Sequence, residues 1–131
     1  MILLDTHVLL WLCLDPKRLS RPATAIIRKA VQTGGIAIAS ISLWEIAMLI
    51  ALGRLSPRGT PESWLSDLIG KSGVIVKNIT PAIAILSTQF PDNFPHDPAD
   101  RLIGATARVE GLTLVTRDER ILASELVKTI W

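Results

Sequence analysis

The chain contains very little cysteine: Cys13 is the only one among its 131 residues. No internal disulfide can form, so we expect a reducing, cytoplasmic environment. A chain of this length buries roughly 65–70% of the surface that its unfolded form exposes, which suffices for a core without cross-links. Cys13 lies in an apolar run from residue 8 to residue 14, where we expect a buried, unreactive thiol.

Charged residues are also scarce, at 20% of the chain, whereas hydrophobic residues make up 49%. The formal net charge is only +2, the isoelectric point is about 9.0, and no dense basic block occurs. This mild basicity permits nucleic-acid binding without requiring it. Only two histidines are present, without paired Cys/His spacing, so a zinc site is not expected. The apolar excess is compatible with a surface that a partner covers.

One apolar stretch is long enough to span a bilayer. Residues 34–53 carry a single charge, Glu45, and an acid at that depth costs about 2.5–3.5 kcal/mol on insertion scales. The same stretch fits a short strand at 36–39 followed by a helix at 43–52, and we favour this second interpretation. The N-terminus has no basic region and carries Asp5, which is not typical of a secretory signal.

Short apolar runs alternate with helical segments bounded by proline or glycine. This alternation predicts an α/β fold with a central, mostly parallel sheet of four to five strands and helices on both faces. No linker or repeat divides the chain, so residues 1–131 are expected to form one domain. The predicted strands are residues 2–4, 36–39, 74–76, 112–116 and 127–130, and the predicted helices are residues 8–14, 22–33, 43–52, 62–69, 81–89, 98–110 and 118–122.

Four acids stand at the ends of predicted strands or the starts of predicted helices. Asp5 directly follows the first strand, and Asp118 lies two residues beyond the fourth. If these strands are neighbours, both acids meet at the carboxyl edge of the sheet, where open parallel sheets bind ligands. Glu45 and Asp100 lie in first helical turns that can face the same edge. Clustered carboxylates repel by about 4 kcal/mol per pair at 4 Å, so a hard cation such as Mg²⁺ or Mn²⁺ is expected among them.

Helix capping offers a structural explanation for most of these acids. Residues 42–45 match the capping box S-x-x-E, in which Glu45 would bond back to its own helix start. Asp97 precedes a proline and fits an N-cap, and Asp118 fits the cap of the helix after it. Taken singly, capping is favoured for Glu45 and Asp97. Asp5 has no obvious structural explanation.

Four sequence blocks, in this order and spacing, resemble PIN-domain toxins of the VapC type. They are MILLDTHVLLW at 1–11, SLWEIA at 42–47, HDPADRLIGATA at 96–107 and LTLVTRD at 112–118. The resemblance covers essentially the whole chain, which would make residues 1–131 a PIN domain. It assigns the acidic quartet of that family to Asp5, Glu45, Asp100 and Asp118, with Asp97 as a further candidate. Gly104 departs from the alanine more common in the family; we expect this position to pack the helix and to do no chemistry, so the departure bears only on local helix stability.

The resemblance implies an Mg²⁺-dependent endoribonuclease, with Mn²⁺ as a possible substitute, that hydrolyses RNA to 5′-phosphate and 3′-hydroxyl ends. Asp5 would be the central ligand, Asp100 and Asp118 would complete the site, and Glu45 would help place the metal or its water. The implied partners are a second copy of the chain, forming a homodimer, and a protein antitoxin that neutralises the toxin. The alternative is a catalytically inactive PIN-like module that binds RNA or protein.

Polar neighbours of the acids have two interpretations each. Thr6 and Thr116 either orient a carboxylate or are ordinary strand-end residues. Arg101 and Arg117, together with Arg120, either hold substrate phosphates or balance the acidic charge. The tryptophans at 11, 44 and 64 lie on apolar helical faces and are expected in the core rather than as base-stacking platforms.

Two other classes with strand-end aspartates fit less well. Phosphatases with D-x-D after the first strand need a second acid, which Asp5-Thr6-His7 lacks. A phospho-accepting receiver domain needs an aspartate after the third strand, where Lys77 and Asn78 stand instead. Neither class is favoured.

Overall fold

The computed structural model describes residues 1–131 and has an α/β architecture, as predicted. Five parallel strands form one sheet in the order β3-β2-β1-β4-β5. The strands are β1 (Ile2–Leu4), β2 (Ile36–Ala39), β3 (Ile75–Lys77), β4 (Thr113–Val115) and β5 (Thr129–Ile130). The helices are α1 (Thr6–Leu14), α2 (Arg21–Gln32), α3 (Ile41–Ala51), α4 (Pro61–Ser72), α5 (Pro81–Ser87), α6 (Pro98–Glu110) and α7 (Glu119–Leu122), with a 3₁₀ turn at Pro16–Arg18.

Helices cover both faces of the sheet because successive strand residues point to opposite sides. Ile2 and Leu4 of β1 pack in a core with helices α1 to α4, whereas Leu3 packs in a second core with α5, α6 and α7. All three residues of β1 and all four of β2 are buried. The continuous apolar runs of the sequence therefore correspond to strands buried on both faces, as expected for a parallel sheet.

The order of the strands reverses between β1 and β4. From β1 the chain adds β2 and then β3 on one side, and then crosses to place β4 on the other side of β1. Leu4 lies in register with Val115, and the Asp5 amide donates to the Val115 carbonyl at 3.0 Å. The first and fourth strands are therefore neighbours, which is the condition under which Asp5 and Asp118 meet, and their adjacency creates the crevice in which α/β sheets bind ligands.

Most predicted elements are confirmed, and the largest differences at helix starts are at α1 and α3. α1 starts at Thr6 and α3 at Ile41, each two residues before the predicted start. α6 spans the predicted residues 98–110, with Asp97 as its N-cap and Gly111 in the left-handed region at its end. The apolar stretch at 34–53 is divided between β2 and α3. No helix has the length and apolar character needed to cross a membrane.

Two expectations about buried residues are wrong. Cys13 is exposed rather than buried. Trp44 is 57% exposed, because α3 turns this side chain away from the sheet. Trp11 and Trp64 are half-buried, and Trp64 packs against the core as expected. Helical periodicity alone did not identify which part of the apolar surface of α1 and α3 faces the sheet.

Gly104 has the expected packing role, but the sequence did not reveal its partners. It is buried in α6 opposite Phe90 and Phe94, whose rings stack with centroids 4.3 Å apart. A β-carbon at this position would lie 2.9 Å from the ring of Phe94, which is only 1% exposed and has little room to move. The expectation that this position packs the helix is confirmed, whereas the expectation that a change there affects only local helix stability is wrong.

We expect Gly104→Ala to lower the free energy of unfolding by about 1 kcal/mol, because overpacking (about 1–3 kcal/mol) exceeds the helix-propensity gain (about 1 kcal/mol). Gly70→Ala is the matched control, since Gly70 lies in α4 with nothing within 4 Å of its added β-carbon. That variant should gain about 1 kcal/mol. Urea denaturation would measure both, and equal stabilisation of the two variants would contradict the packing argument.

Candidate active site

An acidic cleft of about 490 Å³ lies at the carboxyl edge of the sheet, beside the β1–β4 crevice. The ends of β1 and β4 and the helices α1, α3, α6 and α7 contribute to it. Glu45 lies in the second turn of α3, one turn later than expected, because the helix begins at Ile41. All five acids singled out from the sequence line it, together with Glu119. The predicted acids in the cleft are Asp5, Glu45, Asp97, Asp100 and Asp118.

Asp5 is buried, with 9% of its surface exposed, and both of its carboxylate oxygens accept hydrogen bonds. The Thr6 amide donates to Oδ1 at 2.8 Å, and the Thr116 hydroxyl donates to Oδ2 at 2.7 Å. Asp5 is also the N-cap of α1, so the view that it has no structural role is wrong. Burial raises the pKa of Asp5, as does the charge of Asp118, and the hydrogen bonds from Thr116 and Thr6 and the nearby His7 oppose this rise.

The Glu45 carboxylate accepts a hydrogen bond from Thr6 of α1 and does not cap its own helix. α3 begins at Ile41, so Ser42 and Glu45 both lie inside the helix, and the predicted capping box is wrong. The Thr6 hydroxyl lies 2.5 Å from Glu45 Oε1 and 2.8 Å from Ser42 Oγ. Since Thr6 has one hydroxyl proton, it donates to the Glu45 carboxylate and accepts from Ser42. Burial raises the pKa of Glu45, the Thr6 hydrogen bond opposes this, and the charges of Asp5 and Asp97 raise it further.

The first turn of α6 contributes two acids with different surroundings. The Asp97 carboxylate accepts from the Ala99 amide at 2.8 Å, which confirms the predicted N-cap. Asp100 makes no side-chain hydrogen bond within the chain and points into the cleft. Burial raises the pKa of Asp100 to about 7, with further increases from the charges of Asp5, Asp97, Asp118 and Glu45. This shift shows that the acids act on one another electrostatically.

Asp118 is placed by the turn that follows β4. Its Oδ1 accepts from the amides of Arg120 and Ile121 at 2.9 and 3.3 Å, which confirms the predicted cap of α7. The Asp118 amide donates to the Thr116 hydroxyl oxygen at 3.1 Å. Since that hydroxyl also donates to Asp5, Thr116 connects the acids that follow the two central strands.

The donor set suits a hard divalent cation in its chemistry. Carboxylate oxygens are the ligands that Mg²⁺ prefers. Burial and then repulsion from the other acids raise the pKa of Asp100, and a bound cation would offset that repulsion. As the side chains lie, however, no three acids, histidines or cysteines surround one point closely enough to hold an ion. Binding therefore requires side-chain rotation. Asp100, which has no hydrogen bond to lose, is the acid best able to rotate.

The arginines that neighbour the acids in sequence make different contacts in the structure. Arg101 donates to the carbonyls of Phe90, Pro91 and Pro95 at 2.8–3.1 Å, so its guanidinium fixes the loop before α6 and does not fit the predicted substrate contact. Arg120 lies 3.7 Å from Asp118 and balances its charge. Arg117 lines the cleft and remains a substrate-side candidate.

Sequence reasoning missed Ser42. This residue is fully buried and supports Thr6 from α3, but its position in an S-x-x-E pattern suggested a cap instead. The signal available was the pairing of two hydroxyl residues, Thr6 and Ser42, each next to or near an acid in separate blocks. Only the contact between α1 and α3 reveals that they belong to one network.

Comparison with known proteins agrees with this fold. The sequence pattern of the PIN domain matches residues 2–124. Ribonuclease VapC22 of Mycobacterium tuberculosis is 39% identical over 132 residues, which cover 99% of this chain and 98% of that protein. Two solved structures share the fold, both DNA-bound VapBC complexes. One is VapBC2 from Rickettsia felis, bound to a promoter fragment (TM-score 0.73, 15% identity, 99% and 98% coverage), and the other is VapBC from Salmonella typhimurium (TM-score 0.70, 22% identity, 99% and 98% coverage). With a matching family pattern over almost its whole length and a relative of this identity, the chain belongs to the PIN-domain family.

Proposed function

We propose that this protein is an Mg²⁺-dependent endoribonuclease and the toxin of a VapBC-type toxin–antitoxin pair. The observation that carries the proposal is the convergence of Asp5, Glu45, Asp100 and Asp118 on one cleft, where burial and mutual repulsion raise the pKa of Asp100 to about 7. The ribonuclease at 39% identity supports RNA as the substrate. Perturbed acids of this kind in a cleft are typical of catalytic sites.

In the proposed reaction, the oxygen of a water molecule bonds to phosphorus, the P–O3′ bond breaks, and the leaving oxygen takes a proton. The products carry a 5′-phosphate and a 3′-hydroxyl. When bound, a divalent cation lowers the pKa of water and offsets the charge that develops on the phosphate oxygens. Mn²⁺ is the expected substitute for Mg²⁺, because both accept carboxylate ligands.

Each acid has a proposed role that follows from its environment. Asp5, the most buried acid and the one fixed by two hydrogen bonds, is the central ligand. Asp100 and Asp118 complete the ligand set, and Glu45 orients the water or the metal. Asp97 shapes the local charge. Thr6 and Thr116 are positioning residues, because each donates its hydroxyl proton to one of the acids.

The proposed partners are a protein antitoxin, a second copy of the chain and the RNA substrate. The VapBC complexes among the solved relatives support the first of these. Apolar surface is available for protein contacts: Trp44, Met48 and Leu52 are 57%, 37% and 61% exposed along one side of α3. We further propose that residues 1–131 form one PIN domain, and that it acts in the cytoplasm, which suits a protein with one free thiol.

Glu45→Gln tests whether this acid is chemical or structural. We expect RNA cleavage in Mg²⁺ to fall at least about 100-fold, because the amide cannot act as an acid–base group or anionic ligand. Thr6 can still donate to the amide oxygen, so the free energy of unfolding should change by no more than about 1 kcal/mol. A gel assay of end-labelled RNA, with thermal melting, measures both. Glu125→Gln, at an exposed acid outside the cleft, should cleave like the wild type.

If the Glu45→Gln variant still cleaves RNA, the role of this residue is structural and not chemical. Absence of cleavage in the wild type, with RNA still bound, would favour the inactive RNA-binding module instead.

Asp5→Asn tests the central ligand. Asparagine is as good an N-cap as aspartate, so α1 should still form. We expect the affinity for Mn²⁺, measured by calorimetry, to fall by more than about 100-fold, which exceeds the usual effect of changing a residue behind a ligand. Toxicity on expression should disappear as well. Unchanged Mn²⁺ affinity would exclude Asp5 as the central ligand.

The raised pKa of Asp100 predicts a pH-dependent stability. The Asp100 carboxyl binds its proton more tightly in the folded state than in the unfolded state, where its pKa is near 3.8. The stabilisation that the folded state gains from this proton is therefore fully present below pH 3.8. It is lost as pH rises through about 7. Without added metal, Tm should therefore fall over this range, fall less in Asp100→Asn, and recover in the wild type when Mg²⁺ is added at pH 8. Asp92→Asn, at an exposed loop acid, should keep the wild-type profile, and an Asp100→Asn profile identical to wild type would refute the shift.

A further inference from the structure

Two arginines beside the acidic cleft have no hydrogen-bond or ion-pair partner for their guanidinium groups. Arg101 and Arg108 hydrogen-bond to backbone carbonyls, and Arg120 pairs with Asp118. Arg117, between Thr116 and Asp118 at the end of β4, and Arg18, in the 3₁₀ turn after α1, have neither a hydrogen bond nor an ion pair within the chain. Their donor groups are therefore available to a ligand.

Trp11 brings these two arginines to one place although they are 99 positions apart in sequence. The guanidinium carbon of Arg18 lies 4.6 Å from the centroid of the Trp11 ring, and that of Arg117 lies 5.9 Å from it. Both distances are within the range of cation–π contacts. Trp131 packs on the indole from the C-terminus with centroids 5.7 Å apart, which restricts the motion of the ring.

This group brings positive charge to one place at an otherwise acidic cleft, since Arg117 lines the cleft and Arg18 lies next to it at the Trp11 ring. Six acids line the cleft, and Arg117 is the only arginine or lysine among the lining residues. Trp11 and His7, one helical turn apart on α1, line the same side with ring centroids 6.0 Å apart. An RNA strand that reaches the acids carries negative charge along its whole backbone. Beyond the acids it therefore needs contacts of opposite sign, and the Trp11 side of the cleft supplies them.

We propose that Arg18 and Arg117, held by the Trp11 ring, form a phosphate-binding subsite for the RNA strand beside the point of cleavage. A guanidinium suits this role because its planar fork of N–H donors matches the oxygens of a phosphate. Trp11 is a positioning residue in this subsite, and the two arginines contact the substrate. The inference rests on the proposed ribonuclease function, since it names how the same cleft holds its substrate.

The test measures binding of a short, fluorescein-labelled oligouridylate by fluorescence anisotropy over a series of salt concentrations. Asp5→Asn serves as the background in every variant, so that cleavage does not interfere. We expect Arg18→Ala and Arg117→Ala each to raise Kd about ten-fold at low salt. The dependence of log affinity on log salt should become shallower by about 0.7 for each arginine, the value for one phosphate contact on a single strand.

Arg54→Ala is the matched control, because Arg54 is exposed, lies beyond the far end of α3 and is outside the cleft. This variant should keep both the Kd and the salt slope of the background. A double Arg18→Ala, Arg117→Ala variant with unchanged Kd and slope would overturn the proposal. So would a double variant that loses binding of an oligoglutamate peptide but keeps RNA binding, since the subsite would then serve an acidic protein segment.

The role of Trp11 is tested by Trp11→Phe and Trp11→Leu. Phenylalanine keeps an aromatic face and should retain most of the salt slope, whereas leucine should reduce the slope toward that of the double arginine variant. A loss of packing alone would lower Tm in both variants and leave the slope unaltered, which would contradict the positioning role.

These experiments distinguish a failure of the subsite from a failure of the proposed nuclease function. If the wild type cleaves no RNA but oligouridylate binding depends on both arginines, the subsite stands and the nuclease proposal fails. If the wild type cleaves RNA and binding is independent of both arginines, the nuclease proposal stands and the subsite is refuted.

Discussion

Electrostatic repulsion among partly buried carboxylates is the constraint on which the architecture of this cleft depends. Five acids from distant parts of the sequence meet at one sheet edge, and solvent is too limited there to screen them fully. The chain accommodates them by giving most of them donors. Asp5, Asp97 and Asp118 accept backbone amides at the starts of α1, α6 and α7, where the helix dipole also favours negative charge. Asp100 has no such donor, and its pKa rises to about 7.

A capping role is therefore compatible with the role in metal binding proposed for the same acid. A carboxylate has two oxygens and about four acceptor positions, so a cap at one oxygen leaves the other available. Asp118 shows this division, with Oδ1 on two amides and Oδ2 near an arginine. The hydroxyl of Thr6 donates a hydrogen bond to the Glu45 carboxylate, and the hydroxyl of Thr116 donates one to the Asp5 carboxylate, so these two acids are also held in place. A helix start holds an acid more rigidly than a loop would, which is useful where a cation must be bound in a defined geometry.

Positive charge at the cleft is confined to the surroundings of Trp11. The acids come from α3, α6, the end of β1 and the turn after β4, whereas the Trp11 ring of α1 contacts Arg117, which lines the cleft, and Arg18 next to it. Arg101, which is next to Asp100 in sequence, instead fixes the carbonyls of the loop before α6. Proximity in sequence was thus a poor guide to the function of the basic residues, since arginine side chains are long enough to follow whichever acceptor the fold supplies.

The sequence alone determined the α/β class, the strands at 2–4 and 36–39, the helix at 98–110 and the set of acids, because apolar runs, prolines, glycines and caps act locally. The motifs also identified the family. Tertiary structure decided what depends on contacts between distant segments: that Glu45 is held by Thr6 rather than by its own helix start, that Gly104 faces a stacked phenylalanine pair, and that Trp44 and Cys13 are exposed. Such contacts arise only when β1 and β4 become neighbours and α3 packs against α1, and no local pattern in the chain records which side chains will then meet.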